Sequence, residues 1–131
     1  MNKFLTAVAE VLEVPEVSLN TVFRETEGWC SLKAFGLLVL MENDFGAPLT
    51  IDSFHAYTTV RDLYREAFLA FAASVFNVAR ETLSGATAYE SIPAWDSVNH
   101  LRLVMEAEAR FGVHYALEQI PELKKLDDFL I

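Results

Sequence analysis

Two serines carry the most chemically suggestive settings in the chain. Ser97 stands in "WDSVNHLRLVMEAEARFG", from Trp95 to Gly112, and Ser31 stands in "WCSLKAFGLLVLMENDFG", from Trp29 to Gly46. Each follows a tryptophan by two positions and heads a run whose apolar residues recur at three and four positions, closed by Phe-Gly. A serine at a helix start can cap it, and the first-turn N–H groups with the helix dipole favour an anion held there. A catalytic serine would need a base, and neither a GxSxG elbow nor a spaced His–Asp pair accompanies either one.

Other candidates are weaker. His55, His100 and His114 are scattered, without carboxylate or cysteine companions at metal-ligand spacing, and read as surface or half-buried side chains. Cys30 precedes Ser31, but only its place at a helix start would lower its pKa. Neither a glycine-rich phosphate loop nor an EF-hand loop is written in the chain.

The whole composition narrows the classes further. Of 131 residues, 53% are hydrophobic and 12% aromatic, enough for packed cores and unlike a disordered tract. Nineteen acidic against ten basic residues give a net charge of −9, which argues against nucleic acid and favours partners with basic surfaces. One cysteine forms no internal disulfide, and Glu10 interrupts the apolar stretch a signal peptide would need, so a reducing cytoplasm is the expected compartment. The longest fully apolar run, Leu37 to Met41, is far short of the roughly 20 residues of a membrane span.

The elements that must position the serines are written twice. Sliding the chain by 66 residues lays Phe23 on Tyr89, Trp29 on Trp95, Ser31 on Ser97, Leu37 on Leu103, Phe45 on Phe111, Gly46 on Gly112 and Asp62 on Asp128. Upstream the offset is 64, placing "AEVLEV" at Ala9–Val14 over "ASVFNV" at Ala73–Val78, so the second copy has two extra residues in the following loop. Duplication explains this better than chance, with modules at 1–66 and 67–131. The first copy predicts helices near Asn2–Glu13 and Ser31–Asp44, a short element near Ile51–Tyr57 and a last helix from Thr58 onward, and no stretch alternates long enough for a strand. Residues 58–79 hold no Gly or Pro, so the last helix of copy one is expected to run into the first of copy two; the alternative is an unmarked break near Leu69.

Helices of which the second begins at a serine, after a long loop and before a Phe-Gly turn, resemble the acyl carrier protein family, over essentially the whole chain and twice. In that family the serine, usually within Asp-Ser-Leu, carries 4′-phosphopantetheine through a phosphodiester, and the arm's thiol holds cargo as a thioester. "WDSV" matches apart from Val98; "WCSL" keeps Leu32 but has Cys30 for the aspartate, and so lacks a charge that modifying enzymes often engage. The resemblance implies an all-α fold of two carrier-like four-helix bundles in tandem, with arms on Ser97 and on Ser31, the latter weighed against a degenerate copy retained for packing.

It further implies a non-catalytic carrier serving a fatty-acid, polyketide or related pathway. Its partners would be a phosphopantetheinyl transferase and loading enzymes of acyl, aminoacyl, ketosynthase or acyltransferase type. Partner recognition falls by resemblance on Asp96, Val98 and Met105 and on Leu32 and Val39, with Leu103, Val104, Ala107 and Phe111 in the core. Because "LKAFGLLVLMENDF" has little charge before Glu42, the reading is either that Leu32, Val39 and Leu40 form an exposed patch or that this helix is buried on most sides. From another class, the alternative is a helical interaction protein derived from carriers that has lost its arm.

Overall fold

The computed structural model describes residues 2–131. Among them the regular elements are helical: α1 (Lys3–Leu12), α2 (Ser31–Asn43), α3 (Ile51–Ala56), α4 (Val60–Phe76) and α5 (Ser97–Phe111), with short 3-10 turns between. Two compact units divide the chain, an N-terminal unit of Phe4–Ala67 and a C-terminal unit of Phe68–Ile131 to which Asn2 and Lys3 also belong. Helix α4 runs unbroken through Leu69 and contributes residues to both units. It ends at Asn77, whose φ of 56° is left-handed.

Each unit has an aromatic centre. In the N-terminal unit Phe4 of α1 stacks on Tyr64 at 5.1 Å and meets the edge of Phe45 at 4.9 Å, with Val8, Leu12, Leu37 and Met41 buried around them. In the C-terminal unit Phe68 lies 5.7 Å from Phe111 and 5.2 Å from Phe129, and Leu103, Val104 and Ala107 of α5 are buried too. Burying a side chain of this size stabilises by about 1.5–3 kcal/mol, so these clusters fix how each serine-bearing helix is seated.

The loops repeat as closely as the helices. Val60 N–H donates to Thr21 O at 2.9 Å and Arg61 N–H to Leu19 O at 2.9 Å; in the C-terminal unit Leu126 N–H donates to Thr87 O at 3.1 Å and Asp127 N–H to Gly85 O at 2.9 Å. Thr21 Oγ1 accepts from Ser18 N–H at 2.9 Å, as Thr87 Oγ1 does from Ser84 N–H at 2.9 Å. All these pairs lie 66 residues apart. Before them the offset is 64, as in Val14 N–H to Ala9 O at 3.1 Å and Val78 N–H to Ala73 O at 3.0 Å. The two extra residues fall at the 3-10 turn Arg80–Thr82, which tightens the longer loop.

One acid serves each unit in the same way. Asp62 Oδ2 accepts from the N–H groups of Thr58 and Thr59 at 2.8 and 3.0 Å, and Asp128 Oδ2 from those of Lys124 and Lys125 at 3.0 and 3.1 Å. Partial burial works against the charge on Asp62, but the two N–H donors and Arg65, 3.4 Å away, outweigh it and hold its carboxyl below the ordinary range. A carboxyl depressed in the folded state contributes stability that is present above its unfolded pKa of about 4 and is lost as pH falls through the folded value. Asp62→Ala is therefore expected to cost about 1 kcal/mol at neutral pH and to flatten the acid limb of a urea-midpoint profile measured against pH.

The third element differs between units. Thr50 caps α3 by accepting from Ser53 N–H at 3.0 Å, whereas its counterpart Ala116 has no side-chain oxygen for a cap and Pro121 lacks the N–H that a continued helix needs. The C-terminal unit consequently has only a 3-10 turn, Ile120–Glu122, where the N-terminal unit has a helix, and its last element is the 3-10 turn Leu126–Phe129.

Candidate functional site

Ser31 and Ser97 are the first residues of α2 and α5, both exposed, and each follows an extended residue. Capping falls one position earlier than a serine cap would put it. Asp96 is the N-cap of α5, its side chain accepting from Asn99 N–H at 2.9 Å, while Cys30 is the N-cap of α2 and makes no side-chain cap bond. Neither serine hydroxyl takes part in a hydrogen bond among the described residues, so each is left for solvent or for chemistry. The aspartate missing at Cys30 is thus a missing cap. Cys30→Asp is expected to raise stability by about 1 kcal/mol, through a bond to Lys33 N–H matching that of Asp96, visible as a higher urea midpoint.

Behind Ser97 the packing is aromatic. Trp95 is fully buried beside Phe76, Tyr89, His100 and Phe129. Its indole N–H donates to His100 Nδ1 at 3.0 Å, which fixes the proton of the ring on Nε2, and Nε2–H donates to Ile120 O at 2.9 Å. His100 is buried, not at the surface, and ties α5 to the turn Ile120–Glu122. In front of it lies an open cavity of about 390 Å³ lined by Tyr89, Ser97, His100, Leu101, Ile120 and Leu123. Sequence periodicity had no means of finding these residues together, because they come from a loop, a helix and a turn; the one readable signal was a histidine on the apolar side of a helix.

The serine-bearing helices also present matched apolar side chains to solvent. On α2 these are Leu32, Phe35 and Val39, and on α5 they are Val98, Leu101 and Met105, the same positions 66 residues on. Leu40, expected in the exposed patch, is buried; it lies a full turn and a third beyond Phe35 and faces the core with Leu37 and Met41, and Phe35 takes its place outside. Among the described residues no group of His, Cys, Asp and Glu could hold a metal ion, and no helix is long and apolar enough to cross a membrane.

In each unit an exposed serine hydroxyl stands at the first residue of a helix, where the first-turn N–H groups favour an anion. The family described as "Phosphopantetheine attachment site" matches residues 2–67, half of the chain, and the chain belongs to that family. The matched residues contain Ser31, so the unit whose serine lacks the aspartate is the matched one, and Ser97 lies beyond them. No curated protein and no solved structure matches the chain. The residues fit the group: a free hydroxyl, first-turn N–H groups at the positive end of a helix to face a phosphodiester, and, at Ser97, open space beside it. When attached, the arm supplies a thiol for thioester formation.

Proposed function

We propose that this protein is a tandem carrier, with modules at 1–66 and 67–131, holding acyl or aminoacyl intermediates as thioesters on 4′-phosphopantetheine at Ser97 and Ser31. The observation that carries the reading is the shared setting of the two serines. Ser31 heads α2 inside the family-matched residues, and Ser97 heads α5 in the same position with the same loop hydrogen bonds around it. The protein supplies anchorage and presentation, and the reactions belong to its partners.

Those partners are a phosphopantetheinyl transferase and loading or condensing enzymes of a cytoplasmic fatty-acid, polyketide or related pathway. Their docking surfaces are the exposed triads, Leu32, Phe35 and Val39 on one module and Val98, Leu101 and Met105 on the other, with Asp96 beside Ser97. Recognition is expected to be more apolar than acidic, because Lys33 on α2 and Arg102 and Arg110 on α5 offset the few acids there.

Intact-mass spectrometry after incubation with coenzyme A and a broad-specificity transferase tests this directly. Two added arms are the expected result. A chain that gains no mass would instead be the interaction protein descended from carriers.

A further inference from the structure

We propose that His100 is a proton-sensitive latch: its neutral ring ties the turn Ile120–Glu122 to α5, and a second proton on the ring releases that turn beside Ser97, while the N-terminal unit keeps its own tie at any pH. The latch belongs to the chain before an arm is attached, so it goes beyond the carrier reading and does not depend on it.

Both partners of the ring permit one role only. The Trp95 indole N–H can only donate, and it meets His100 Nδ1 at 3.0 Å; the Ile120 carbonyl can only accept, and it meets Nε2 at 2.9 Å. The neutral ring with its proton on Nε2 answers both. An imidazolium carries a proton on each nitrogen, so its Nδ1–H would face the indole N–H, donor against donor, and one of the two bonds must break.

The surroundings offer that added charge no anion. Tyr89, Trp95 and Phe129 present uncharged rings, with centroids 5.0, 6.0 and 6.0 Å from that of His100. Lys124, the charged side chain that lines the same cavity, is itself a cation, and the Asp96 carboxylate is turned to Asn99 N–H. Among the described residues no carboxylate is bonded to the ring, and the ring is buried, so the protonated form regains hydration only by leaving its place. Ser97 and the turn residues Ile120 and Pro121 line one open cavity, so the latch governs how closely the turn stands over the serine.

The N-terminal unit holds the matching carbonyl by other means. Phe54 O, 66 residues before Ile120 O, accepts from Arg24 at 2.7 Å, and the position of His100 is taken by Ala34. A guanidinium keeps its proton across the whole physiological range. Unfolded, His100 takes its second proton near the ordinary value of about 6.5, so the stability that the neutral latch contributes is present above that value and is lost as pH falls below it. His114, the other histidine of the C-terminal unit, works the opposite way, because its Nδ1 lies 3.2 Å from Glu108 and a proton strengthens that contact.

NMR of the arm-free chain tests the latch between about pH 8 and about pH 5, the range in which histidine changes charge. At the upper end the His100 nitrogens should report a bare Nδ1 and a protonated Nε2. As pH falls, the Trp95 indole proton and the amide of Leu123, which donates to Ile120 O at 3.3 Å, are expected to shift together with the His100 titration and to exchange with solvent several-fold faster. The amides of Phe54 and Tyr57 should stay in place. His100→Gln offers one acceptor and one donor and gains no proton in this range, so it should abolish the response of Leu123. A proton found on Nδ1 at the upper end, a ring that stays neutral to the lower end, or a Leu123 amide that is unmoved while His100 titrates would each overturn the proposal, as would an unchanged response in His100→Gln. The first three are read on the native chain, so they decide the matter even where the variant does not fold, and none of them touches the carrier reading, which stands or falls on the mass gained at the serines.

Discussion

Incubated with coenzyme A and a broad phosphopantetheinyl transferase, the Ser97→Ala protein is expected to gain one arm where the native chain gains two. Ser31→Ala is expected to behave likewise, and the double variant to gain none. The loss is chemical, not structural. Both hydroxyls are exposed and neither is engaged in a hydrogen bond, and alanine is the better helix former at the head of α2 or α5. Stability should stay within about 0.5 kcal/mol of the native value, so circular dichroism and urea midpoints will separate a missing nucleophile from a damaged fold.

The time course carries more information than the end point. Asp96 both caps α5 and places a negative charge beside Ser97, whereas Cys30 and Lys33 leave the approach to Ser31 neutral to basic. A transferase that reads the aspartate should complete Ser97 first, and Cys30→Asp should bring Ser31 closer to its rate. Equal rates at the two native serines would mean that the aspartate serves the helix alone.

The largest loss of stability is expected from Trp95→Ala, about 3–5 kcal/mol by urea denaturation. Trp95 is wholly buried between Phe76 and Tyr89, with ring centroids 5.5 and 5.9 Å away, and its removal leaves a cavity that those rings can fill only in part. It also withdraws the donor to His100 Nδ1, leaving a buried acceptor unsatisfied and loosening the tie from His100 to Ile120 O. Trp95→Phe separates the two effects. It keeps most of the volume but not the N–H, and a loss near 1–3 kcal/mol is expected from the unpaired histidine. The N-terminal unit offers the contrast: Trp29 is half-buried, its ring 5.6 Å from Phe23, and the position of His100 is taken by Ala34. Trp29→Ala should cost less.

Much of this was open to reading along the chain. The helical class follows from apolar spacing at three and four, and the unbroken α4 from a stretch without Gly or Pro. The family follows from a serine heading the second helix with Trp before it and Phe-Gly after the run. These are local properties: propensity, capping and periodicity act within one or two turns, and a residue's neighbours in sequence are enough to state them.

Tertiary structure decided what depends on residues far apart. It turned Phe35 outward and Leu40 inward on a helix apolar on nearly all sides, since only tertiary packing says which apolar face is core. It reduced the third helix of the second unit to a turn, with Ala116 and Pro121 in place of a cap and a donor. It buried His100 between Trp95 and Ile120 and opened a cavity at Ser97. The sequence by itself therefore determined that a serine heads a helix in each unit; how each serine's surroundings differ arose from contacts across a loop, a helix and a turn that no single periodicity encodes.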